Sequence, residues 1–550
     1  MRKQLMFTSL WLLLFTSACQ RVMKEVEQPT SLQASSIPDY VVVTLKNVAS
    51  NKFMEVAGDP LYNKKFDDQA KLQQWETSLS DGKVGRWQKW HLIYRSTVDG
   101  VKYYHIRNLH SGKLIDVPGA SDSIGMQMQQ YAAFPFLGDQ QLWRLEEQSD
   151  GTSFKLVNKG NGLALAVTSG ATANGAAVIQ ENIVNENRQR WLITLEQEDT
   201  YRDDEVVRFF NRNESEQGSV AFDQGNSVLL TWGANAGKVL WITQDAWDGT
   251  SLTANDKFPC NYFFSYGNSM LLQPSLTDWN NLHTPNVTVP GGANGRPRQV
   301  CTIQPNNTFA WPGVGVELGD KVYVHCGEGS GLNATDQSLY VFTQSAGTTW
   351  QTQRTLPAGL SGQTAILYAT GMVKAGDGYV YAFGSETVGF GYESYIHVAR
   401  FPESNPQQWQ FFDGTSWTAA PTTGANSKVA DGLGSSAVSY VNGKYILMTM
   451  DQGFNCDANR RIYLATADSP TGPFTERKAV YTISEYFYGQ YARYYTPAIH
   501  PHFDNGRNEL LLTYCLNYSA CGLDGCQEGV IDPYYYRVKG IRVPYAMVGL

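Results

Sequence analysis

The chain is short of charge. Asp, Glu, Lys and Arg make up 17% of its 550 residues, and the net charge is −8. No Lys/Arg stripe is present to neutralise phosphates, so nucleic acid is not an expected partner. Sustained 3.6-residue apolar periodicity is scarce, and after the first residues no long hydrophobic run follows, so the folded part is expected to cross no membrane as a helix. Neither a Gly-x-Ser-x-Gly elbow nor a His-Glu-x-x-His pair occurs, which makes an esterase or peptidase a poor reading. What is plentiful is Gly (51), Tyr (31), Phe (24) and Trp (14), a composition of strands and tight turns. A chain of 550 residues also exceeds the ~250–300 at which one core stops growing. Two all-β domains are expected.

The first residues read as an export signal. Arg2 and Lys3 are followed by an apolar stretch from Leu5 to Phe15, then by Thr16-Ser17-Ala18 before Cys19. Small residues directly before a cysteine resemble a bacterial lipoprotein processing site, with Thr16 where that family has Leu, and Cys19 would then carry the lipid; ordinary signal cleavage with Cys19 incidental is the alternative. Residues 1–19 are assigned to the signal and 20–37 to a flexible linker. The location expected is the outer membrane or cell surface, or else the periplasm or medium, with membrane contact only through the lipid anchor.

Seven further cysteines, at 260, 301, 326, 456, 515, 521 and 526, all lie in the second half. An odd number leaves one unpaired in an oxidising compartment unless another chain supplies a partner, and spacing alone does not fix connectivity. Cys521 and Cys526 flank Gly-Leu-Asp-Gly and are candidates for closing a small loop. Zinc is disfavoured because no second ligand pair lies nearby. No metal and no cofactor are expected.

Internal repeats are the clearest signal. Gln88-Lys89-Trp90, Gln141-Leu142-Trp143 and Gln189-Arg190-Trp191 recur at separations of 53 and 48 residues. Each closes a unit of two short β runs and a small-residue loop, as in Tyr104–Asn108 then Gly112–Val117, or Phe154–Asn158 then Gly162–Val167. A tryptophan repeated once per unit suits a shared core better than a ligand contact. The pattern resembles the ricin-type β-trefoil lectin family over residues 38–197, which implies three lobes and a carbohydrate partner, an oligo- or polysaccharide. A sugar pocket needs a carboxylate or amide beside an aromatic platform. Aligning the lobes puts the carboxylate slot at Glu55, Asp116 and Ala166 and the aromatic slot at Trp75, Tyr131 and Glu181. Lobe two, with Asp116, Tyr131 and Gln140, is the expected binding pocket. Lobe one, with Glu55 and Trp75, is a second candidate, and lobe three is expected to be silent. A trefoil kept only as a spacer is the alternative.

Residues 205–550 read as many short strands, among them Val239–Ile242, Lys321–His325, Gly378–Phe383, Lys444–Met448 and Glu509–Tyr514. Strands of one kind recurring over some 345 residues fit a propeller of about five blades, since a sandwich is filled by ~100 residues. Asp223-Gln224-Gly225-Asn226-Ser227, Val239 to Asp245, Gly267-Asn268-Ser269, Trp311-Pro312, Asp468 to Phe474 and His500-Pro501 resemble, in that order, bacterial propeller families of unknown function. Those are similar to five-bladed propeller glycoside hydrolases, some of which degrade arabinan. The resemblance implies a glycoside hydrolase, although this chain has Gln244-Asp245 where those relatives carry Gly-Asp. Hydrolysis needs one protonated and one ionised carboxyl. Asp223 or Asp245 is the candidate base or nucleophile and Glu386 the candidate acid, with Glu317 and Asp431 in reserve. Each of these acids is equally suited to capping a turn. His397 and His500 are candidates for lining the channel, and Trp247, Trp279, Tyr392, Tyr395, Tyr486 and Tyr488 for stacking on sugar or for propeller packing. The function expected is that of an exported protein that binds and cleaves a glycan. The alternative is a non-catalytic surface carbohydrate-binding lipoprotein.

Overall fold

A tryptophan that recurs in every lobe can be buried only where three lobes meet. The computed structural model puts them there; it describes residues 37, 41–58, 67–78, 84–111, 113–131, 134, 138–196, 202–253, 256–260, 266–291, 299–456, 460–483, 485–487, 490–506, 508–526 and 529–550. Trp90, Trp143 and Trp191 are fully buried in one apolar cluster with Leu45, Ile106 and Leu156. Each indole donates to a carbonyl of its own lobe, Met54, Ile115 and Leu165, at 3.1, 3.1 and 3.2 Å. The partner glutamines are buried as well, and their side-chain oxygens accept the backbone N–H of Ser78, Phe134 and Val184. Gln-x-Trp is thus a structural clamp, and the ring of lobes closes where Val41–Asn47 pairs with Trp191–Leu195. The stretch expected to be an export signal, Cys19, the expected linker through residue 36 and Tyr488 lie outside the described residues.

The second half is a five-bladed propeller. Its innermost strands are Ser219–Leu229, Phe309–Leu318, Leu367–Lys374, Ser435–Val441 and Gln490–His500, each packed against the inner strands of the neighbouring blades. Every blade continues outward as an antiparallel meander of the kind short strands and tight turns favour. The ring is closed in blade five, where Arg202–Asp203 adds to Val538–Pro544, pairing Arg202 with Ile541 and Asp203 with Gly540. Two ion pairs reinforce the join, Arg202–Glu485 at 2.9 Å and Arg542–Asp203 at 2.7 Å. Asp203 also accepts from the backbone N–H of Glu205 and Val206, which starts the short helix Asp204–Phe209.

Two disulfides correct the expected Cys521–Cys526 loop. Cys526 joins Cys260, and Cys521 joins Cys456. The reason is long-range strand pairing: Phe258–Pro259 lies against Val530–Ile531 and brings Cys260 beside the C-terminal loop. Cys301, Cys326 and Cys515 remain as buried thiols.

Trefoil and propeller meet across a buried charge cluster. Arg95, on the trefoil strand Lys89–Val98, is ion-paired with Asp532, and Lys257 of blade one reaches the same carboxylate at 3.2 Å. All three side chains are buried. The two cations hold Asp532 well below the usual carboxylate range, and burial pushes Lys257 down to about 8. Ile93 packs alongside in the core shared by blades four and five. Replacing Asp532 by Asn leaves two buried cations without their counter-charge, a change that costs about 3–5 kcal/mol. Urea titration should show that loss, and an unchanged midpoint would refute the role assigned to this cluster.

Candidate functional site

Four of the five inner strands interrupt their pairing with a register slip. Pairing slips between Asp223 and Asn226, Pro312 and Gly315, Leu367 and Gly371, and Tyr495 and Ala498. Bulges of this kind turn side chains out of the sheet. Three residues beside them take positive φ without being glycine: Gln224 (58°), Asp245 (20°) and Thr496 (47°). Such conformations cost ~1–3 kcal/mol each and persist only where surrounding packing enforces them.

The enforcement is visible. Gln224 donates to the carbonyls of Pro312 and Gly313 at 2.7 and 2.9 Å, and Asn226 donates to Gly313 at 2.9 Å. Gln244 donates to Pro312 O and to Gln224 Oε1, both at 2.9 Å. The amide at position 244, where the resembled families carry glycine, therefore stitches blade one to blade two. Held this way, Asp223 and Asp245 influence each other. The Tyr495 hydroxyl donates to Asp223 Oδ2 at 2.8 Å, and the Trp311 indole donates to Asp245 Oδ1 at 2.8 Å. Burial raises the pKa of Asp223, against the hydrogen bonds from Tyr495 and Tyr536. Burial and then the charge of Asp223 push Asp245 up to about 8. One carboxyl of the pair keeps its proton at neutral pH because two ionised carboxylates cannot share a partly desolvated site. Phe309 stacks on Trp311 at 3.7 Å between centroids, and both Trp311 and Asp245 are partly exposed, so the pair has an aromatic wall open to solvent.

Glu386 rises from the same end of the propeller, since its neighbour Ser385 pairs with Leu367, the first residue of blade three's inner strand. It lies two blades round from the aspartates and has its own partners. Glu386 Oε2 contacts His397 Nε2 at 2.8 Å and accepts the Gly424 N–H at 2.8 Å. Burial lowers the pKa of His397, against its contact with Glu386. Glu317 belongs to the opposite end. Its carboxylate accepts from Thr231 N at 2.7 Å, Trp232 N at 3.2 Å and Gln344 Nε2 at 2.7 Å, joining blades one and two beside a channel cavity of about 310 Å³. His500 is buried between Ser227 and Thr513. Asp431 is an exposed partner of Lys428, which lies over the ring of Tyr395. Trp247 packs on Phe258 and Trp279 on Phe209 and Phe503, so both are packing residues. The backbone of Tyr486 is in a strand, and its side chain is outside the described set.

In the trefoil, strand register makes the three lobes superimposable. Phe53 pairs with Trp75, Leu114 with Tyr131 and Ala164 with Glu181, so Glu55, Asp116 and Ala166 occupy one slot two residues further on. Asp116 is buried and accepts from Gln129 Nε2 at 2.8 Å, and burial raises it to about 6. Glu55 accepts from Gln73 at 2.8 Å and Gln88 at 3.1 Å. In lobe three Glu181 is taken up by Arg188 and Gln189, both at 2.8 Å. Tyr131 is partly exposed and stacks on Phe134 at 5.4 Å, while Gln140, also partly exposed, follows on the turn before Trp143. Phe134 was not anticipated, although its place three residues after the aromatic slot repeats that of Ser78 and Val184. Tyr495 and Tyr536 were also missed. Only the fold brings them to Asp223, and no local pattern marks them.

A family model described as "Domain of unknown function (DUF5005)" matches residues 203–540. One described as "Ricin-type beta-trefoil lectin domain-like" matches residues 33–131, 86–181 and 139–235. Among solved structures the chain is similar to a designed three-fold symmetric protein, with 34% identity, 28% of this chain and 97% of that one covered, and a TM-score of 0.24. It is similar to a candidate hydrolase from Bacteroides ovatus, with 16% identity, 62% and 90% covered, and a TM-score of 0.49. It is also similar to an exo-β-1,3-galactanase from Clostridium thermocellum, with 27% identity, 29% and 31% covered, and a TM-score of 0.24. No curated protein matches the chain.

A carboxyl whose folded pKa lies above its unfolded value stabilises the fold below the unfolded pKa, and that contribution is lost as pH rises through the folded one. For Asp245 this window runs from about 4 to about 8. Asp245→Asn should therefore melt close to wild type near pH 4 and progressively higher as pH rises, by at least ~2 °C above pH 8. Scanning calorimetry across this range checks the sign. A variant less stable than wild type at pH 8 would show that the two aspartates do not oppose each other.

Proposed function

The chain belongs, over residues 203–540, to the family described as a domain of unknown function, DUF5005, and on that footing we propose that it is an exported glycoside hydrolase whose trefoil binds the glycan that the propeller cuts. The observation carrying this reading is the pair Asp223 and Asp245, two mutually opposed carboxyls at a channel mouth beside the Phe309–Trp311 stack. A glycosidic bond breaks when its leaving oxygen is protonated while a second carboxylate activates water or attacks the anomeric carbon. Asp245, which keeps its proton at neutral pH, supplies the first function, and Asp223, the more acidic member, supplies the second. This moves the acid from Glu386 to Asp245, because Glu386 holds two N–H donors on one oxygen and so acts as an acceptor. The trefoil's sugar site is lobe two, where Asp116 with Gln129 and Gln140 would take hydroxyls and Tyr131 with Phe134 would face the apolar side of a ring. Export through a signal ending at Cys19, with a lipid on that cysteine, belongs to the same reading.

A non-catalytic carbohydrate-binding lipoprotein is the competing reading, favoured by the close enclosure of Asp223, 7% exposed. The test is incubation with plant, algal and bacterial-envelope polysaccharides, followed by analysis of released oligosaccharides. Wild type should release products, and Asp245→Asn should slow release by ~10²–10⁴-fold. Binding of several glycans with cleavage of none would decide for the lipoprotein reading. Separately, Asp116→Ala should weaken polysaccharide affinity by ~10-fold or more, the loss of a charge-assisted hydrogen bond, while Ala166→Ser should leave affinity unchanged; equal losses would sink the lobe assignment.

A further inference from the structure

Three aromatic rings at the propeller mouth are used by none of the chemistry above. Phe390, at the tip of the hairpin joining Tyr379–Gly389 to Glu393–Pro402, is 72% exposed, and Tyr392 is 38% exposed. Phe454, in the loop after Lys444–Met450, stacks on Phe390 with centroids 5.9 Å apart and lies 6.1 Å from Tyr392. Large side chains standing in water on a hairpin tip are ordinarily left over or mobile. These are built in.

The Arg493 guanidinium of blade five backs the Phe454 ring at 4.7 Å. Gln452 N–H donates to Gly391 O at 3.2 Å, tying the blade-four loop to the blade-three hairpin. Cys456–Cys521 fastens that loop to blade five. Gly391, with φ of 77°, lets the ring approach, since a Cβ there would lie 2.4 Å from Phe454 Cδ2. Exposed aromatic area held this firmly marks a binding surface.

Its place in the fold identifies the occupant. Ser385 pairs with Leu367 and Met450 with Ser435, the first residues of two inner strands, so the hairpin tip and the loop rise from the face where inner strands begin. Trp311, the third residue of its inner strand, rises from the same face with Asp245 bound to its indole. The mouth thus carries the acid pair and one aromatic wall on blades one, two and five, and a second aromatic surface on blades three and four. Rings presented at two places around one end of the propeller suit a linear polymer of rings with apolar faces. We propose that Phe390, Tyr392 and Phe454 form a remote subsite that stacks a sugar ring of a polymeric glycan whose other units reach the acid pair. This rests on the reading of that mouth as a glycan site. It adds that the substrate is a chain long enough to span the mouth, bound in the middle rather than by one terminal unit.

The test uses the full chain carrying Asp116→Ala, so that lobe two does not dominate binding. An array of plant, algal and bacterial-envelope polysaccharides, with the di- and hexasaccharides of each polymer bound, is the probe. The double variant Phe390→Ala/Tyr392→Ala removes only solvent-exposed rings and should fold, as its melting curve will show. It should lose about tenfold in affinity for polymer and hexasaccharide, the worth of two stacking rings, and nothing for disaccharide. Equal affinities, equal losses at all lengths, or no polysaccharide bound by the Asp116→Ala parent would each overturn the proposal. So would self-association of the parent that the double variant abolishes while glycan affinity stays intact, because the patch would then be a protein interface. Cleavage by chains with the acid pair intact separates the two readings. Ring-dependent affinity with no cleavage by wild type removes the hydrolase and keeps the subsite, whereas wild-type cleavage that the double variant leaves unchanged removes the subsite and keeps the hydrolase.

Discussion

Closure of the propeller ring is the constraint from which the rest follows. Blade five is made from both ends of the domain, Arg202–Asp203 beside Val538–Pro544, and the join is stapled by Arg537, whose guanidinium donates to Val220 O at 3.0 Å and also bonds Arg212 O. A ring fixed there brings blade five against blade one. Asp223 stands at that junction, on blade one, with both of its tyrosine partners on the blade-five side. The raised pKa values, the positive φ angles and the bulges are thus consequences of a closed ring. An open ring would let water reach both carboxylates and relax them to ordinary values.

The trefoil is part of the same arrangement. Asp532, the carboxylate that pairs with Arg95 across the domain boundary, also accepts from the Tyr534 N–H and starts the turn Pro533–Tyr536. That turn ends in Tyr536, which stabilises Asp223. A charge on a lectin-like lobe is therefore connected through one short turn to the acid pair. The cost of burying Arg95, Lys257 and Asp532 together is offset only when all three are present. A seam of that kind discriminates sharply between docked and undocked states.

Legibility in the sequence followed the range of the interactions. The trefoil was readable because Gln-x-Trp acts within its own lobe: Trp90 donates to Met54 O and Gln88 Oε1 accepts the Ser78 N–H, contacts that recur in each lobe. Asp223 and Asp245 were readable as acids in strands of a resembled family. What made them a pair was not, since Tyr495 lies some 270 residues from Asp223 in the chain and meets it only through the ring. The disulfides escaped for the same reason. Cys521 and Cys526 look like partners until Phe258–Pro259 pairs with Val530–Ile531 and supplies Cys260. Glu386 was readable as an acid in a strand, and its use by His397 and Gly424 was not.

A lectin module on a flexible tether raises local substrate concentration without regard to direction. Here the seam at Asp532 fixes the trefoil on the propeller, so a glycan held at Asp116 would leave the lobe along a set direction relative to the channel mouth. The subsite at Phe390 extends the same logic to the propeller itself, because a polymer stacked there is constrained in where its remaining units lie. Both devices trade reach for orientation. In the proposed reaction orientation would matter more than concentration, because Asp223 is enclosed and a bond would have to reach Asp245 from its one open side.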